Sequence, residues 1–490
     1  MTAIALPHRL PTRYIFFGLA GLGLLMASID ATIVSIAIPS FITSFDTSLS
    51  WVGWTLTAYQ LVQVIVMPVA GKLSDSLGRK RVFLFCVGCF TVGSLLCGLA
   101  PSIGLLIMFR VLEAVGAGGL MPSAVGIISD QFGEKRNQAI GLFTTIIPLG
   151  GILGPNIGGW VLEHWSWREI FFVNLPFGII LLVGTYLLLK EKHEKRPVQH
   201  IDVPGLALLA GGLVAIMYAM TRAGTETGMW RSPLFWGLLA LGIAFLVAFV
   251  RYESRAREPI VDMALLFHGP FLPANLYNFI FGACAFGFFS FVPYFMFVQY
   301  QMGPEQIGRV LTPRALAMIG MAIVASMFLL RRTYRLPMVA GAILIATCLL
   351  LLSFGWTYVA VGPIALDGFW VTALVLVLSG IGMGMAAPAA NNASIDLLPA
   401  KAAQISGLRG MFRWTGGIMG ISSVALALSF FEDKAAGMRT IFLVLAFILP
   451  VTVPLAFMIP DLAQSRKTAK AAPIVGVSAS APVGPPSRKG

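Results

Sequence analysis

Apolar stretches about 20 residues long, the length needed to cross the hydrocarbon core of a bilayer, recur along nearly the whole chain. Fourteen can be drawn: 15–38, 51–71, 82–100, 104–128, 138–161, 169–189, 203–221, 234–250, 271–298, 307–330, 337–359, 367–390, 405–430 and 440–459. In lipid every backbone polar group must find its partner within the protein, so such stretches are expected to be helices. The composition agrees, with 57% apolar and only 11% charged residues, whereas a soluble domain carries about 25% charged residues. Residues 461–490, rich in Ala, Pro, Ser and Lys/Arg, predict a disordered tail.

The chain is basic, with 34 Lys and Arg against 21 Asp and Glu. A nucleic-acid binder gathers its cations into a patch interleaved with aromatics. Here they form short runs between apolar stretches, so no nucleic-acid partner is expected. The five histidines are scattered over termini and loops and offer no metal cluster. No G-x-x-x-x-G-K-[ST] occurs, which argues against ATP hydrolysis. The five cysteines all lie in apolar segments and read as small core residues. The basic N-terminus leads into an apolar run that continues as the first span rather than a signal peptide.

Placing the N-terminus in the cytoplasm puts 24 Lys and Arg on the inside and six in the outside loops: Arg168, Arg222, Arg231, Arg309, Lys434 and Arg439. Adding or removing one span would invert half of that asymmetry. The expectation is therefore an even number of spans in the inner (plasma) membrane, with both termini cytoplasmic.

The chain also repeats itself. Residues 112–154 align without a gap onto 378–420 at a constant offset of 266. Gly116, Gly118 and Pro122 meet Gly382, Gly384 and Pro388; Asp130 and Lys135 meet Asp396 and Lys401; GGILG (150–154) meets GGIMG (416–420). The offset carries span 4 onto span 12 and span 5 onto span 13, so the copies share one orientation. Parallel repeats related by an axis along the membrane normal are a transporter design, with the substrate site at their interface. The expected organisation is a six-helix bundle over 1–190, a linker with two inserted helices over 191–262, a second six-helix bundle over 263–460, and the tail over 461–490.

Four motifs carry chemistry. GKLSDSLGRKR (71–81) joins spans 2 and 3. Its Gly71 and Gly78 permit tight turns, and Asp75 is placed to oppose a helix dipole and pair with Arg79 or Lys80. SIDATIVSIAIP (28–39) puts Asp30 inside span 1. An intramembrane carboxylate costs about 3 kcal/mol or more, so it is normally paired, wetted or protonated. RVLEAVGAGG (110–119) puts Arg110 and Glu113 in span 4. Spans 1 and 4 run in opposite directions, which brings Asp30, Arg110 and Glu113 to one depth. Two carboxylates beside one arginine form a group that can hold a proton. Span 5 carries G-x8-G-x3-G-P-x2-G-G as Gly141, Gly150, Gly154, Pro155, Gly158 and Gly159. Gly150, Gly154 and Gly158 form a stripe for close helix contact, and Pro155 removes a backbone hydrogen bond and kinks the helix.

Together these motifs resemble the major facilitator superfamily, specifically its fourteen-helix drug:proton antiporter branch (EmrB/QacA-like), over nearly the whole chain. The resemblance implies an all-α membrane protein, two parallel six-helix bundles plus two inserted helices, and no enzymatic activity. It further implies a cytoplasmic gating loop at Gly71, Asp75, Gly78, Arg79 and Lys80, and proton coupling through Asp30, Glu113 and Arg110, with the proton as coupling ion and no cofactor. The glycine motif on span 5 is the superfamily's antiporter signature. The chain departs from the family pattern at Ser35, Ser76, Glu113 and Ala114. RRTYR (331–335), after span 10, shows no copy of the gating motif. WREIFFVNLPFG (167–178) marks membership in the branch rather than mechanism.

Span 9 is rich in Phe, and the chain has 21 Met. Aromatic faces and thioethers suit promiscuous apolar binding, and phenylalanines that face lipid would give the same pattern. Phe289, Tyr294, Arg314 and Arg413 are the candidate substrate contacts, with Arg314 suited to an anionic substrate group or a carboxylate of the tail, while Arg409 is expected to snorkel to the interface. The leading expectation is an exporter of lipophilic, chiefly cationic, drugs or toxic compounds. The alternatives are an exporter of one specific metabolite or lipid, which Arg314 and Arg413 favour if it is anionic, and a transporter-derived sensor without turnover. Members of the branch pair with a periplasmic adaptor, which the sequence does not demand.

Overall fold

The computed structural model describes residues 12–132, 139, 142–143, 146–189, 202–226, 228–256, 261, 263–267, 269–329, 332–361, 364–398 and 402–461. Its long helices are α1 (Thr12–Ile33), α2 (Leu49–Leu77), α3 (Arg79–Gly98), α4 (Ile103–Phe132), α5 (Ile146–His164), α6 (Asn174–Leu188) and α7 (Val203–Thr225). They continue as α8 (Pro233–Glu253), α9 (Phe271–Tyr300), α10 (Pro304–Val324), α11 (Arg335–Ser353), α12 (Gly368–Asp396), α13 (Ala402–Ser429) and α14 (Lys434–Ile448). Among the described residues, thirteen helices are long and apolar enough to cross a membrane. The further long helix is α5, whose hydropathy is diluted by glycines, Pro155 and Asn156.

Local chemistry fixes many boundaries. Side chains of Ser48, Asp202, Ser232, Asp367 and Asp433 accept hydrogen bonds from the first-turn amides of α2, α7, α8, α12 and α14, which satisfies donors that a helix start leaves orphaned. The first span does not run unbroken to residue 38 as expected. It ends at Ile33, residues 34–37 form a turn, and a short helix follows over Ile38–Phe45. The last span also starts earlier than expected, at Lys434, and is followed by a short helix over Thr452–Met458. A two-stranded hairpin, β1 (Tyr358–Val361) with β2 (Ile364–Asp367), joins α11 to α12. The sequence reading had no strand there, since four-residue strands fall below what periodicity resolves.

The internal repeat is a repeat of packing. Helix α1 packs on α5 as α9 packs on α13, α2 on α4 as α10 on α12, and α3 on α4 as α11 on α12. Aligned glycines sit at aligned contacts. A Cβ on Gly116 would lie 2.4 Å from the Cys86 carbonyl oxygen of α3, and one on Gly382 would lie 2.6 Å from that of Gly341 of α11. Gly118 abuts Gln63 and Val66 of α2; Gly384 abuts Met318 and Ala322 of α10. Among the described residues the two main seams between the halves are α5 against α10 and α2 against α13, and the offset exchanges one for the other.

The inserted helices take one seam. Helix α7 lies against α13 and α2, and α8 lies mainly on α7. Trp54 Nε1 donates to Thr221 Oγ1 at 2.7 Å, and Gly224 abuts Ser50 and Ser429. Helix α8 leaves Leu234, Trp236, Leu241, Ile243 and Val247 exposed, the surface of a helix that faces lipid.

Candidate functional site

The three charged residues of the first bundle meet. Asp30 lies in the last turn of α1, just before the break at 34–37, and Arg110 and Glu113 lie one turn apart on α4. All three are fully buried. Arg110 Nη1 donates to Asp30 Oδ2 at 2.8 Å and to Glu113 Oε2 at 2.7 Å. Its Nε donates to the Thr55 carbonyl at 3.3 Å, and its Cζ lies 3.8 Å from the centroid of the Tyr59 ring, so α2 forms one wall.

Several participants were not singled out in the sequence. Asn174 Nδ2 donates to Asp30 Oδ1 at 3.4 Å and to Ser94 Oγ at 3.0 Å, and Ser94 in turn donates to the Phe171 carbonyl at 2.9 Å. The 167–178 segment, read as a marker of membership, therefore supplies part of the site. Cys97 is more than packing, because its thiol donates to Glu113 Oε2 at 3.5 Å. The available signal was the polar Asn174 in an otherwise apolar helix. The two carboxylates differ in one respect. Both oxygens of Asp30 have partners, whereas Glu113 Oε1 is buried without one.

The gating motif differs from the expected loop. Helix α2 continues to Leu77 and α3 starts at Arg79, which leaves Gly78 at φ 104° as the whole connection. A positive φ of this kind favours glycine. Gly71 abuts Pro122 of α4. Asp75 lies within the last turn of α2, not ahead of α3, and its side chain lies outside the described residues. Arg79 pairs with Asp130 at the end of α4, Nε to Oδ2 at 2.8 Å. Lys80 Nζ donates to the carbonyls of Tyr186 and Leu189 at 2.8 and 2.6 Å.

A counterpart exists in the second bundle, although RRTYR showed none. Tyr334 OH donates to Asp396 Oδ2 at 2.6 Å, and Asp396 is the repeat partner of Asp130. Here a phenol reaches the aspartate that corresponds to the one held by Arg79 in the first bundle. Asp461, at the start of the tail, accepts from the amide of Tyr334 at 3.0 Å and from the Thr333 hydroxyl. That carboxylate thus binds the start of α11, not Arg314.

The glycine motif divides into two functions. Gly150 abuts Ser28, Gly154 abuts Ile29 and Thr32, and Gly158 abuts Ile33, so this stripe seats α5 on α1. Its repeat partners Gly416 and Gly420 seat α13 on α9 in the same way, against Phe279 and Ala283. The remaining residues face the other bundle. A Cβ on Gly159 would lie 2.5 Å from the Pro304 carbonyl oxygen, the Pro155 carbonyl abuts Gly308, and Asn156 Nδ2 donates to Thr312 Oγ1 at 2.7 Å. Gly141 lies outside the described residues.

In the second bundle Arg314 is buried, with Nε donating to Ser379 Oγ at 3.0 Å and its Cζ 3.6 Å from the centroid of Phe289. Arg413 lies 5.6 Å from the ring centroids of Phe281 and Phe286. Arg409 reaches Asn278 Oδ1 at 3.5 Å, an internal contact instead of the expected snorkelling. Tyr294, with Phe288, Phe291 and Phe295, is buried in the core, so these aromatics of α9 do not face lipid.

Comparison with known proteins gives this arrangement its family. The chain is 31% identical over 369 residues to the multidrug transporter protein MdtP of Bacillus subtilis, covering 75% of this chain and 66% of that protein. It is 32% identical over 405 residues to multidrug resistance protein 3 of the same organism, covering 82% and 75% respectively. The fold matches that of a bacterial homologue of the human lysosomal transporter Spinster, with a TM-score of 0.61 at 16% identity, covering 94% of this chain and 98% of that one. The family model of the Major Facilitator Superfamily matches residues 20–421. A multi-pass membrane protein with two parallel, repeat-related helix bundles, the chain belongs to the Major Facilitator Superfamily.

Proposed function

We propose that this chain is a proton-coupled antiporter that exports lipophilic, chiefly cationic, drugs or toxic compounds by alternating access, as a member of the fourteen-helix drug:proton branch. The observation that carries this reading is the buried Asp30–Arg110–Glu113 cluster, with two carboxylates on one guanidinium and one carboxylate oxygen without a partner. An intramembrane group of this kind is costly and marks ion pathways. Two relatives named for multidrug transport or resistance support a drug substrate. The positive-inside count supports a plasma-membrane protein with cytoplasmic termini.

Glu113 is the proton carrier in this reading. Protonation at Oε1 removes an uncompensated buried charge while Arg110 stays paired with Asp30. Release of the proton leaves the cluster with one net negative charge, which a lipophilic cation can compensate. Proton and cation thus compete for one site, and an electrical potential worth about 2.3 kcal/mol per charge per 100 mV adds to the driving force. Rocking of the bundles about the two seams exposes the cluster to each side in turn. Arg79–Asp130 and Tyr334–Asp396 tie helix ends within each bundle so that each moves as a body.

Energised inside-out vesicles test this directly. Ethidium is expected to dissipate the proton gradient in vesicles holding the wild-type chain, to fail to do so with Glu113→Gln, and to do so partially with Asp30→Asn. Full coupling in Glu113→Gln would transfer the carrier role to Asp30, and full coupling in both variants would refute the cluster's role.

A further inference from the structure

Among the described residues, the second bundle holds a buried cation with no anion beside it. Arg314 lies about 15 Å along α10 from its start, taking 1.5 Å per residue, and is only 4% exposed. A guanidinium has five N–H donors. The hydrogen bonds of Arg314 are one to Ser379 Oγ at 3.0 Å and one to the Met383 thioether at 2.9 Å, a weak acceptor. Among the described residues no carboxylate reaches it. A buried charge in this condition is costly, and the first bundle avoids that cost by pairing Arg110 twice.

The surroundings of Arg314 are aromatic. The guanidinium sits over Phe289. Phe286, three residues earlier on the same face of α9, stacks on Trp414 with centroids 4.9 Å apart and planes at 12°. Arg413 lies 5.6 Å from the Phe286 centroid, and its Nε is buried without a hydrogen-bond partner. Phe286 and Phe289 are both only half-buried, so their rings remain available to a ligand. Arg413 thus neighbours the Phe286–Trp414 stack, and Arg314 neighbours Phe289 one turn further along α9.

We propose that Arg314 and Arg413, with Phe289, Phe286 and Trp414, form a binding site for planar aromatic anions, which gives the exporter a second substrate class beside lipophilic cations. The ring of such a ligand stacks on these aromatic side chains, and its acidic group takes the unused N–H donors in charge-assisted hydrogen bonds. Ser379 is a positioning residue, because its hydroxyl fixes the direction of the Arg314 Nε–H. A lipophilic cation is repelled by the same surface and is left to the acidic cluster of the first bundle. The transport of such anions rests on the exporter reading, whereas their binding does not.

The test uses the full chain in lipid nanodiscs and naphthalene-2-sulfonate, which is planar and permanently anionic. Binding is read as the tryptophan fluorescence change that is lost in Trp414→Phe. Saturable, Trp414-dependent quenching is expected. Arg314→Gln should weaken it about tenfold and Arg314→Lys should restore most of it, while binding of 2-naphthyl-trimethylammonium stays unchanged. Quenching absent from the wild type, or equal in a folded Arg314→Gln, overturns the site. Should Arg314→Gln not fold, Phe289→Leu replaces it, with a several-fold loss expected and an unchanged affinity decisive against the proposal. Proteoliposomes with a proton gradient separate the two readings. Ethidium movement without sulfonate binding leaves the exporter standing and removes this site; sulfonate binding without movement of either compound leaves the site and removes the exporter.

Discussion

Arg110 holds two carboxylates at 2.8 and 2.7 Å inside a bundle with no access to water for any of the three groups. Removing the guanidinium leaves like charges facing each other in a low-dielectric interior. Breaking one partner of a buried pair costs about 3–5 kcal/mol, so Arg110→Ala is expected to lower the detergent-solubilised melting temperature sharply, read by fluorescence-detected size exclusion. Arg110→Lys keeps the charge but loses the Nε contact to Thr55 and the stacking on Tyr59, and is expected to fold yet uncouple. Asp30, Arg110 and Glu113 were legible in the sequence because charge inside an apolar span is conspicuous. Asn174, Ser94 and Cys97 were not, since small polar residues in a membrane helix more often bond to their own backbone.

At the scale of the helix, glycines set how closely the backbones approach, and the repeat makes this testable in pairs. A Cβ on Gly116 or on Gly382 meets the backbone of the neighbouring helix at 2.4 or 2.6 Å, where no side-chain rotation relieves it. Gly116→Ala and Gly382→Ala are each expected to destabilise by about 1–3 kcal/mol, the range for overpacking. Gly88→Ala on α3, whose Cβ meets nothing within 4 Å, is the control and should stay within about 0.5 kcal/mol of wild type. Thermal unfolding in detergent measures all three. The same comparison revises the antiporter motif. Its stripe of Gly150 and Gly154 is matched by Gly416 and Gly420 and serves packing in both bundles, while Pro155 and Gly159, which face α10, belong to the seam.

For the whole molecule the decisive surfaces are the seams α5–α10 and α2–α13. Asn156 and Thr312 bridge the first at 2.7 Å. In a background with Cys86, Cys89, Cys284 and Cys348 replaced and the buried Cys97 kept, Asn156→Cys with Thr312→Cys is expected to crosslink on oxidation, stop drug-driven proton flux, and regain it on reduction. Crosslinked protein with unimpaired flux would show that this seam does not open during transport. Helix α7 braces the second seam through Thr221 and Gly224, which gives the inserted pair a place in the fold that hydropathy alone could not assign.

The sequence by itself determined where the apolar helices lie, the two-fold repetition, and the charged residues that cannot face lipid. Each of these follows from a one-dimensional pattern: spans from hydropathy, repetition from alignment at one offset, buried charge from its place inside an apolar stretch. Only the tertiary structure decided which charges are partnered. The pairing of Arg79 with Asp130, the hydrogen bond of Tyr334 to Asp396, and the setting of Arg314 on Ser379 with no described carboxylate in reach depend on contacts between residues about 50 to 70 positions apart. At such separations Coulomb energies and hydrogen bonds are set by helix packing, which leaves no mark in the order of the residues.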